Sequence, residues 1–188
     1  MALPAIEHGM TLQGFLGWEA EQSGKHEFWR GEVFAMTGAR QGHVVVALNV
    51  ASALKTHLRG TPCRAYISDM QLAVDQADAV FYPDVFVSCD PTDLAADRIL
   101  RHPKVIIEVL SESTAGFDRG EKFAACRRIA SLQEYVLIDP VEQSIEIFRR
   151  TPEDEWLLAT RDAERGLVLR SLDFEASPAE VFESVTQG

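Results

Sequence analysis

The chain has 188 residues, of which 46% are hydrophobic and 25% charged, a composition typical of one globular domain and not of a disordered tail, a collagen-like fibre or a disulfide-rich miniprotein. Eighteen Lys and Arg stand against 29 Asp and Glu, and the formal net charge of −11 excludes a general nucleic-acid coat, which needs clustered basic side chains. The net charge is still compatible with nucleic-acid binding through a local basic patch. We expect a single domain over residues 1–188 with its core at about 10–185.

The first third of the chain predicts two helices with a hairpin between them. An amphipathic helix is expected over residues 11–22, with Thr11 as its cap. The segment HEFWRGEVFAM predicts two short strands that turn at Arg30-Gly31. Apolar residues at helical spacing then predict a second helix over residues 42–59.

The remainder is rich in strand signals. Short strands are expected at 63–66 and 70–74, and AVFYPDVFVSC predicts another that begins near Asp84. The β-branched run in PKVIIEVLS predicts a central strand covered on both faces. A helix over 118–130 is followed by strands in EYVLIDP, QSIEIFRR, EWLLAT and GLVLRS. Helices around such a middle predict an α+β domain with a central mixed β-sheet flanked by helices.

The cysteines and the N-terminus predict a cytoplasmic protein. Cys63, Cys89 and Cys126 match no CxxC or zinc spacing, and two of them lie in apolar runs. We interpret them as small core residues in a reducing compartment, without a structural metal. The N-terminus lacks the pattern of a signal peptide, and the longest apolar stretch, 44–54, is too short to span a membrane.

One charged residue interrupts the predicted central strand. Residues 98–128 form the only net basic segment, with seven Lys and Arg against four Asp and Glu, a net charge of 7 − 4 = +3. Within it, Glu108 is flanked by Ile107 and Val109. A carboxylate in so apolar a run is costly unless it is paired or bound to a cation. A core salt bridge and a functional site are both open interpretations.

The alternation of side chains along strands indicates a second carboxylate near Glu108. Ile106, Glu108 and Leu110 share one face of their strand, and Asp84 and Phe86 share one face of theirs. If the two strands are neighbours, Asp84 and Glu108 converge at one edge of the sheet. Two such carboxylates repel each other, and Mg²⁺ both relieves the repulsion and favours oxygen ligands of this kind.

The sequence motifs and their order resemble those of a known protein family. Pro83-Asp84 is followed 24 residues later (108 − 84) by Glu108, as in the PD-(D/E)xK nuclease superfamily. The segments FWRGEVFAM, SDMQLAV, YPDVFVSCDP, KVIIEVLSEST, FDRGEKFAACRRIASLQEYVLIDP and IEIFRR resemble, in this order, the Uma-type family of putative restriction endonucleases. The resemblance covers nearly the whole chain. It implies a restriction-endonuclease-like core and an endodeoxyribonuclease that uses Mg²⁺, with Mn²⁺ able to substitute.

The resemblance also implies a set of metal ligands. Asp84 and Glu108 would be the metal-binding carboxylates, and the backbone carbonyl of Val109 would be a further ligand. The chemistry expected of them is metal-dependent hydrolysis of a phosphodiester bond.

The superfamily's lysine is displaced in this chain. Its usual position, two residues after the glutamate, is occupied by Leu110, which can neither orient a water nor neutralise a phosphate. Lys122 in DRGEKF fits the later lysine of the Uma-type pattern. It shares an inward stripe with Cys126 and Ile129, so its stem could reach the carboxylates. The alternative is a solvent-facing pair with Asp118.

Four further polar residues are weaker candidates. Glu32 could reach the metal through a water, or be an exposed hairpin charge. Asp69 could point toward the same edge or cap a turn. Gln71 could orient a water. His43, at the start of a helix, could contact a phosphate or be merely structural.

The predicted partner is DNA, bound to a homodimer. Arg119, Arg127 and Arg128, from the basic segment, are expected to guide the nucleic-acid backbone. A homodimer is expected because duplex cleavage needs two sites and twofold pairs are the commonest assembly. The alternative from another class is a catalytically lapsed nuclease fold that acts as a DNA-binding or scaffold module, which Leu110 and the net charge favour. A third possibility, an acid/base hydrolase with two carboxylates, lacks a substrate signature.

Overall fold

The computed structural model describes residues 6–161 and 166–185. Within these residues the strands are β1 Glu7–His8, β2 His26–Trp29, β3 Glu32–Ala35, β4 Arg64–Ile67, β5 Gln71–Val74, β6 Ala79–Phe81, β7 Val85–Ser88, β8 Ile99–Leu100, β9 Pro103–Val109, β10 Glu134–Asp139, β11 Ser144–Arg150, β12 Trp156–Arg161, β13 Leu167–Leu169 and β14 Phe174–Ala176. The α-helices are α1 Leu12–Glu19, α2 Gln41–His57, α3 Pro91–Ala95, α4 Ala115–Phe117, α5 Phe123–Cys126 and α6 Pro178–Val181.

The strands form two large mixed sheets and a small hairpin. The first sheet has the order β1-β3-β2-β6-β5-β8, and the second has the order β12-β11-β10-β9-β7-β4. Neighbours are antiparallel except β5 with β8 and β9 with β10, which are parallel. The α+β class and the mixed sheet are therefore confirmed, with two six-stranded sheets where the sequence predicted one.

Strand β9 is the buried interior strand that the sequence predicted. It lies between β10 and β7. Val105 and Ile107 face the cluster packed against α2. Ile106 and Leu110 face the opposite cluster, which lies between the two sheets and the segment 115–126. Because Glu108 shares the face of Ile106, its side chain enters this second cluster.

The first helix and hairpin follow the sequence signals closely. Thr11 caps α1, its hydroxyl accepting a hydrogen bond from the Gly14 amide at 3.1 Å. Strands β2 and β3 turn at Arg30 and Gly31, whose φ angles are 51° and 88°. A pair of positive φ angles is typical of tight hairpin turns and matches the predicted turn.

The strand predicted to begin near Asp84 is confirmed as β7, and one predicted helix is irregular. The stretch 79–88 also contains β6, which belongs to the other sheet and is separated from β7 by Tyr82, Pro83 and Asp84. Proline lacks an amide hydrogen and so breaks the ladder there. The helix expected over 118–130 is instead α4, a π-helical turn at Asp118–Lys122, and α5. The Tyr135 hydroxyl donates to the Asp118 carbonyl at 3.0 Å, and such insertions into the helical ladder are a cause of irregular turns.

The interpretation of all three cysteines as unpaired core residues is wrong. Cys63 and Cys89 form a disulfide that links the start of β4 to the end of β7. Arg64 pairs with Ser88 in the antiparallel register, so these two cysteines are the next cross-strand neighbours. Cys126 is free and buried, as expected.

In the part of the chain that the structure describes, none of the helices is both long enough and apolar enough to cross a membrane. The longest, α2, covers Gln41–His57.

Candidate functional site

Lys122 lies at the centre of a buried group of charges. Its Nζ is 2.9 Å from Glu108 Oε1, 3.1 Å from Glu27 Oε1 and 3.9 Å from Asp118 Oδ1. We call these four residues the lysine cluster. The Lys122 side chain is only 5% exposed, so the solvent-facing alternative is wrong, although the pairing with Asp118 is present.

Local sequence explains why a lysine points inward here. Cys126 and Ile129, which share its stripe, are both buried. The π-helical turn carries Asp118 and Lys122 together into the interior. The ammonium also lies 5.3 Å from the centre of the Phe81 ring, where a cation is attracted by the aromatic face.

Asp84, which directly precedes β7, lies next to the lysine cluster. Val85 is paired with Ile107 in the antiparallel register, so Asp84, one residue before Val85, lies opposite Glu108, one residue after Ile107. Its Oδ2 accepts a hydrogen bond from the Val109 amide at 2.8 Å, and its Oδ1 lies 2.9 Å from His43 Nε2. Both oxygens of the Asp84 carboxylate therefore have a hydrogen-bonding partner, which holds the group in place.

Burial and mutual repulsion shift the pKa values of this group. Burial raises the pKa of Glu108 well above its usual range, and Lys122 offsets only part of the shift. Burial raises the pKa of Asp118 in the same way. Burial by itself lowers the pKa of Lys122, but the carboxylates of Glu108, Glu27 and Asp118 outweigh it and raise that pKa well above its ordinary value. The ammonium is therefore held in its charged form.

The donor set fits a divalent cation. Three carboxylates (Glu27, Glu108 and Asp118) surround one ammonium, and a fourth, Asp84, lies opposite Glu108. This group holds more acidic than basic side chains in a largely buried place. Oxygen ligands and surplus charge are what Mg²⁺ requires. The side chains of Asp84 and Glu27 are 17% and 18% exposed, against 4% for Glu108. Solvent therefore reaches the site at Asp84 and Glu27.

Glu27 is the site residue that the sequence reasoning missed. It lies on β2, and its Oε1 also accepts a hydrogen bond from the Tyr82 amide at 3.1 Å. The sequence predicts this hairpin but points to Glu32, not Glu27, as its candidate site residue. The sequence does contain a signal for Glu27. It is a carboxylate next to an apolar residue, Phe28, within a predicted strand, just as Glu108 is a carboxylate within an apolar strand.

The weaker candidates lie elsewhere, except His43. The Glu32 carboxylate is 3.4 Å from His8 Nδ1 at the outer end of its hairpin. Asp69 pairs with Lys25 at 2.7 Å on the surface. Gln71 Nε2 donates to the Tyr82 hydroxyl at 2.8 Å, not to the cluster.

The three arginines differ in how far they are already engaged. Arg119 is paired with Glu146, at 2.7 Å from Nη2 to Oε1. Arg128 donates to the backbone carbonyl of Gln76 at 2.9 Å. Arg127 is exposed. The role of all three in DNA binding stays a prediction.

A second group of possible metal ligands lies on the loop around α3. Ligand atoms of Asp90, Asp93 and His102 are within 4.8 Å of one another. Asp93 is buried and accepts the backbone amides of Arg101 and His102 at 2.9 and 2.8 Å. Asp90 caps α3 through the Thr92 amide. Loop architecture accounts for these carboxylates, and the sequence analysis had not selected them.

Comparisons with known proteins identify the family of the chain. The profile of the family described as "Uma2: Putative restriction endonuclease" matches residues 12–178. Two relatives from Synechocystis sp. (strain ATCC 27184 / PCC 6803 / Kazusa), the uncharacterized proteins slr1290 and sll1609, are each 32% identical to this chain. The first is aligned over 163 residues, 87% of this chain and 86% of its own length, and the second over 160 residues, 84% and 90%.

A solved structure with a similar fold supports the fold assignment. The crystal structure of a putative nuclease belonging to DUF820 from Anabaena variabilis ATCC 29413 matches with a TM-score of 0.78. The match covers 94% of this chain and 99% of that chain, at 20% identity. The chain therefore has the restriction-endonuclease-like fold and belongs to the Uma2 family of putative restriction endonucleases.

Proposed function

We propose that the protein is a Mg²⁺-dependent endodeoxyribonuclease that hydrolyses phosphodiester bonds in DNA, with Mn²⁺ able to replace Mg²⁺. One observation carries the proposal: Lys122 Nζ lies 2.9 Å from Glu108 Oε1, beside an Asp84 carboxylate held opposite Glu108. An ammonium and two carboxylates at the end of adjacent strands supply the charges that phosphodiester hydrolysis needs. The family description supports the same reaction class.

Asp84 and Glu108, with the backbone carbonyl of Val109, would hold the ion. When bound, Mg²⁺ polarises the phosphate and lowers the pKa of a bound water. His43 and the Val109 amide fix the Asp84 carboxylate, so it is oriented before the ion arrives.

Lys122 would orient the attacking water or offset charge that develops on the phosphate. Glu108, Glu27 and Asp118 hold its ammonium charged and in place. A lysine from the segment 115–126 would thus serve where the strand position carries Leu110. Arg127 and Arg128 would guide the DNA backbone. A homodimer would supply the two sites that cleavage of both strands needs.

The decisive experiment compares two carboxylate variants in a cleavage assay. Plasmid and single-stranded DNA are incubated with Mg²⁺ or Mn²⁺ and the parent, Asp84→Asn or Asp90→Asn. We expect Asp84→Asn to lose at least about a hundredfold in rate. Asp90→Asn should keep its activity, because Asn caps a helix as well as Asp does.

Either of two results would overturn the proposal. Loss of cleavage in Asp90→Asn alone would move the metal centre to the loop around α3. A parent that cleaves no form of DNA would remove the nuclease activity itself.

One observation favours a second candidate, the lapsed nuclease that binds DNA or acts as a scaffold. Lys122 is 5% exposed and already contacts three carboxylates, as a purely structural ion group would. In that case calorimetry on the parent would detect binding of DNA, with or without Mg²⁺, but the cleavage assay would show no product.

A further inference from the structure

A cavity is lined by Tyr82, whose backbone amide donates to Glu27 of the lysine cluster. It has a volume of about 280 Å³ and is bounded by the end of α1, the loop at 20–25, and the first residues of β5 and β8. Leu16 and Ile99 contribute apolar walls. The polar walls come from neutral side chains (Gln71 and Tyr82), cations (Lys25 and Arg98) and carboxylates (Glu19 and Asp69).

The polar wall of this cavity is a chain of buried hydrogen bonds. Gln71 Nε2 donates to the Tyr82 hydroxyl at 2.8 Å, and that hydroxyl donates to Glu19 Oε1 at 2.8 Å. Glu19 Oε2 in turn lies 2.8 Å from His26 Nδ1. Gln71, Tyr82 and Glu19 are each at least nine-tenths buried. A connected network of this kind is rigid.

Two groups on the wall keep hydrogen-bonding capacity for a ligand. Among the described residues, Gln71 Oε1 accepts no hydrogen bond, and the Arg98 guanidinium pairs with no carboxylate. The cavity therefore combines apolar walls, an amide acceptor on the buried network, and the exposed guanidinium of Arg98 at its edge.

Tyr82 connects this cavity to the lysine cluster. Its side chain lines the cavity, while its backbone amide donates to Glu27, the residue that contacts Lys122. Asp84 follows two residues later, a span of at most about 7 Å along the chain.

We propose that the cavity is a subsite for one unstacked nucleobase next to the scissile phosphate. The proposal rests on the nuclease function above and deepens it, because it makes single-stranded or locally unpaired DNA the preferred substrate class. A base has apolar faces for Leu16 and Ile99, and donors and acceptors on its edge for Gln71 and Arg98. A base stacked within a duplex cannot enter, since its faces are covered by its neighbours.

The test measures binding rather than cleavage. A fluorescein-labelled single strand of about twelve nucleotides and a duplex of the same length are titrated by anisotropy with Ca²⁺ in place of Mg²⁺. The variants are Arg98→Ala and Ser23→Trp, which places a large side chain in the cavity from an exposed loop. Arg101→Ala is the matched control, because Arg101 lies on the same segment but pairs with Asp75.

We expect Arg98→Ala and Ser23→Trp each to weaken single-strand binding about tenfold, within the range measured for one base contact, and to leave duplex binding unchanged. Arg101→Ala should change neither. Parental single-strand affinity in both cavity variants, or no DNA binding by the parent, would overturn the subsite. A parent that binds in this pattern but cleaves no DNA would refute the nuclease function and leave the subsite in place.

Discussion

Replacement of Lys122 by Met should destabilise the metal-free protein severely at neutral and alkaline pH. Met keeps an unbranched stem beside Phe81 but removes the ammonium from three carboxylates at 2.9, 3.1 and 3.9 Å. The breaking of a buried pair by removal of one partner costs about 3–5 kcal/mol, because a buried charge is left uncompensated. For a chain of this size each kcal/mol lowers Tm by about 2–4 °C, so a loss of about 6–20 °C is expected.

The assay is thermal unfolding followed by circular dichroism at pH 8 and pH 5, with EDTA present. Since the pKa values of Glu108 and Asp118 are raised, some of this charge is neutralised by protons at pH 5, and the loss should be smaller there. Lys25→Met is the control, because Lys25 pairs with Asp69 on the surface and such pairs contribute at most about 1 kcal/mol. Equal melting temperatures for parent and Lys122→Met at pH 8, or the same loss at both pH values, would refute the reasoning.

Three further outcomes are expected. Glu108→Gln should stabilise the metal-free protein at pH 8 but not at pH 4. Because the pKa of Glu108 is raised in the native state, its bound proton stabilises the fold at low pH, and this stability is lost as pH rises from about 4.3 through the native pKa. Equal melting temperatures of parent and variant at pH 8 would contradict this. His43→Ala should lower Mg²⁺ affinity about 10–100-fold by calorimetry, since an orienting hydrogen bond to Asp84 is lost; unchanged affinity would mean that His43 does not position the ligand. Arg127→Glu with Arg128→Glu should weaken DNA binding and reduce its dependence on salt, and parental binding by this double variant would show that the proposed patch is wrong.

Local signals in the sequence were sufficient for much of the fold. The turn at Arg30-Gly31 and the Thr11 cap are each specified by a few neighbouring residues, and the structure has both. The faces of the two carboxylates were also predictable, because the alternation of side chains along a strand is fixed by geometry. It places Glu108 on the face of Ile106 and Asp84 opposite Glu108.

What could not be predicted depends on contacts between distant parts of the chain. Glu27 and Lys122 are 95 residues apart in sequence, and no local pattern links them. The Cys63–Cys89 pairing follows from the antiparallel alignment of β4 and β7, which a single sequence does not reveal. The π-helical turn at Asp118–Lys122 owes its form partly to Tyr135 on another strand.

The distribution of the site over the chain has a consequence for biosynthesis. Its side chains come from the first sheet, the second sheet and the segment 115–126, so none of these units contains the site alone. Contacts of such sequence separation form late, after the entropy of closing long loops has been overcome. A nascent chain that has not yet exposed Lys122 beyond the ribosome carries its acidic side chains without their cation. The geometry described above is thus unavailable to any incompletely synthesised or half-folded molecule.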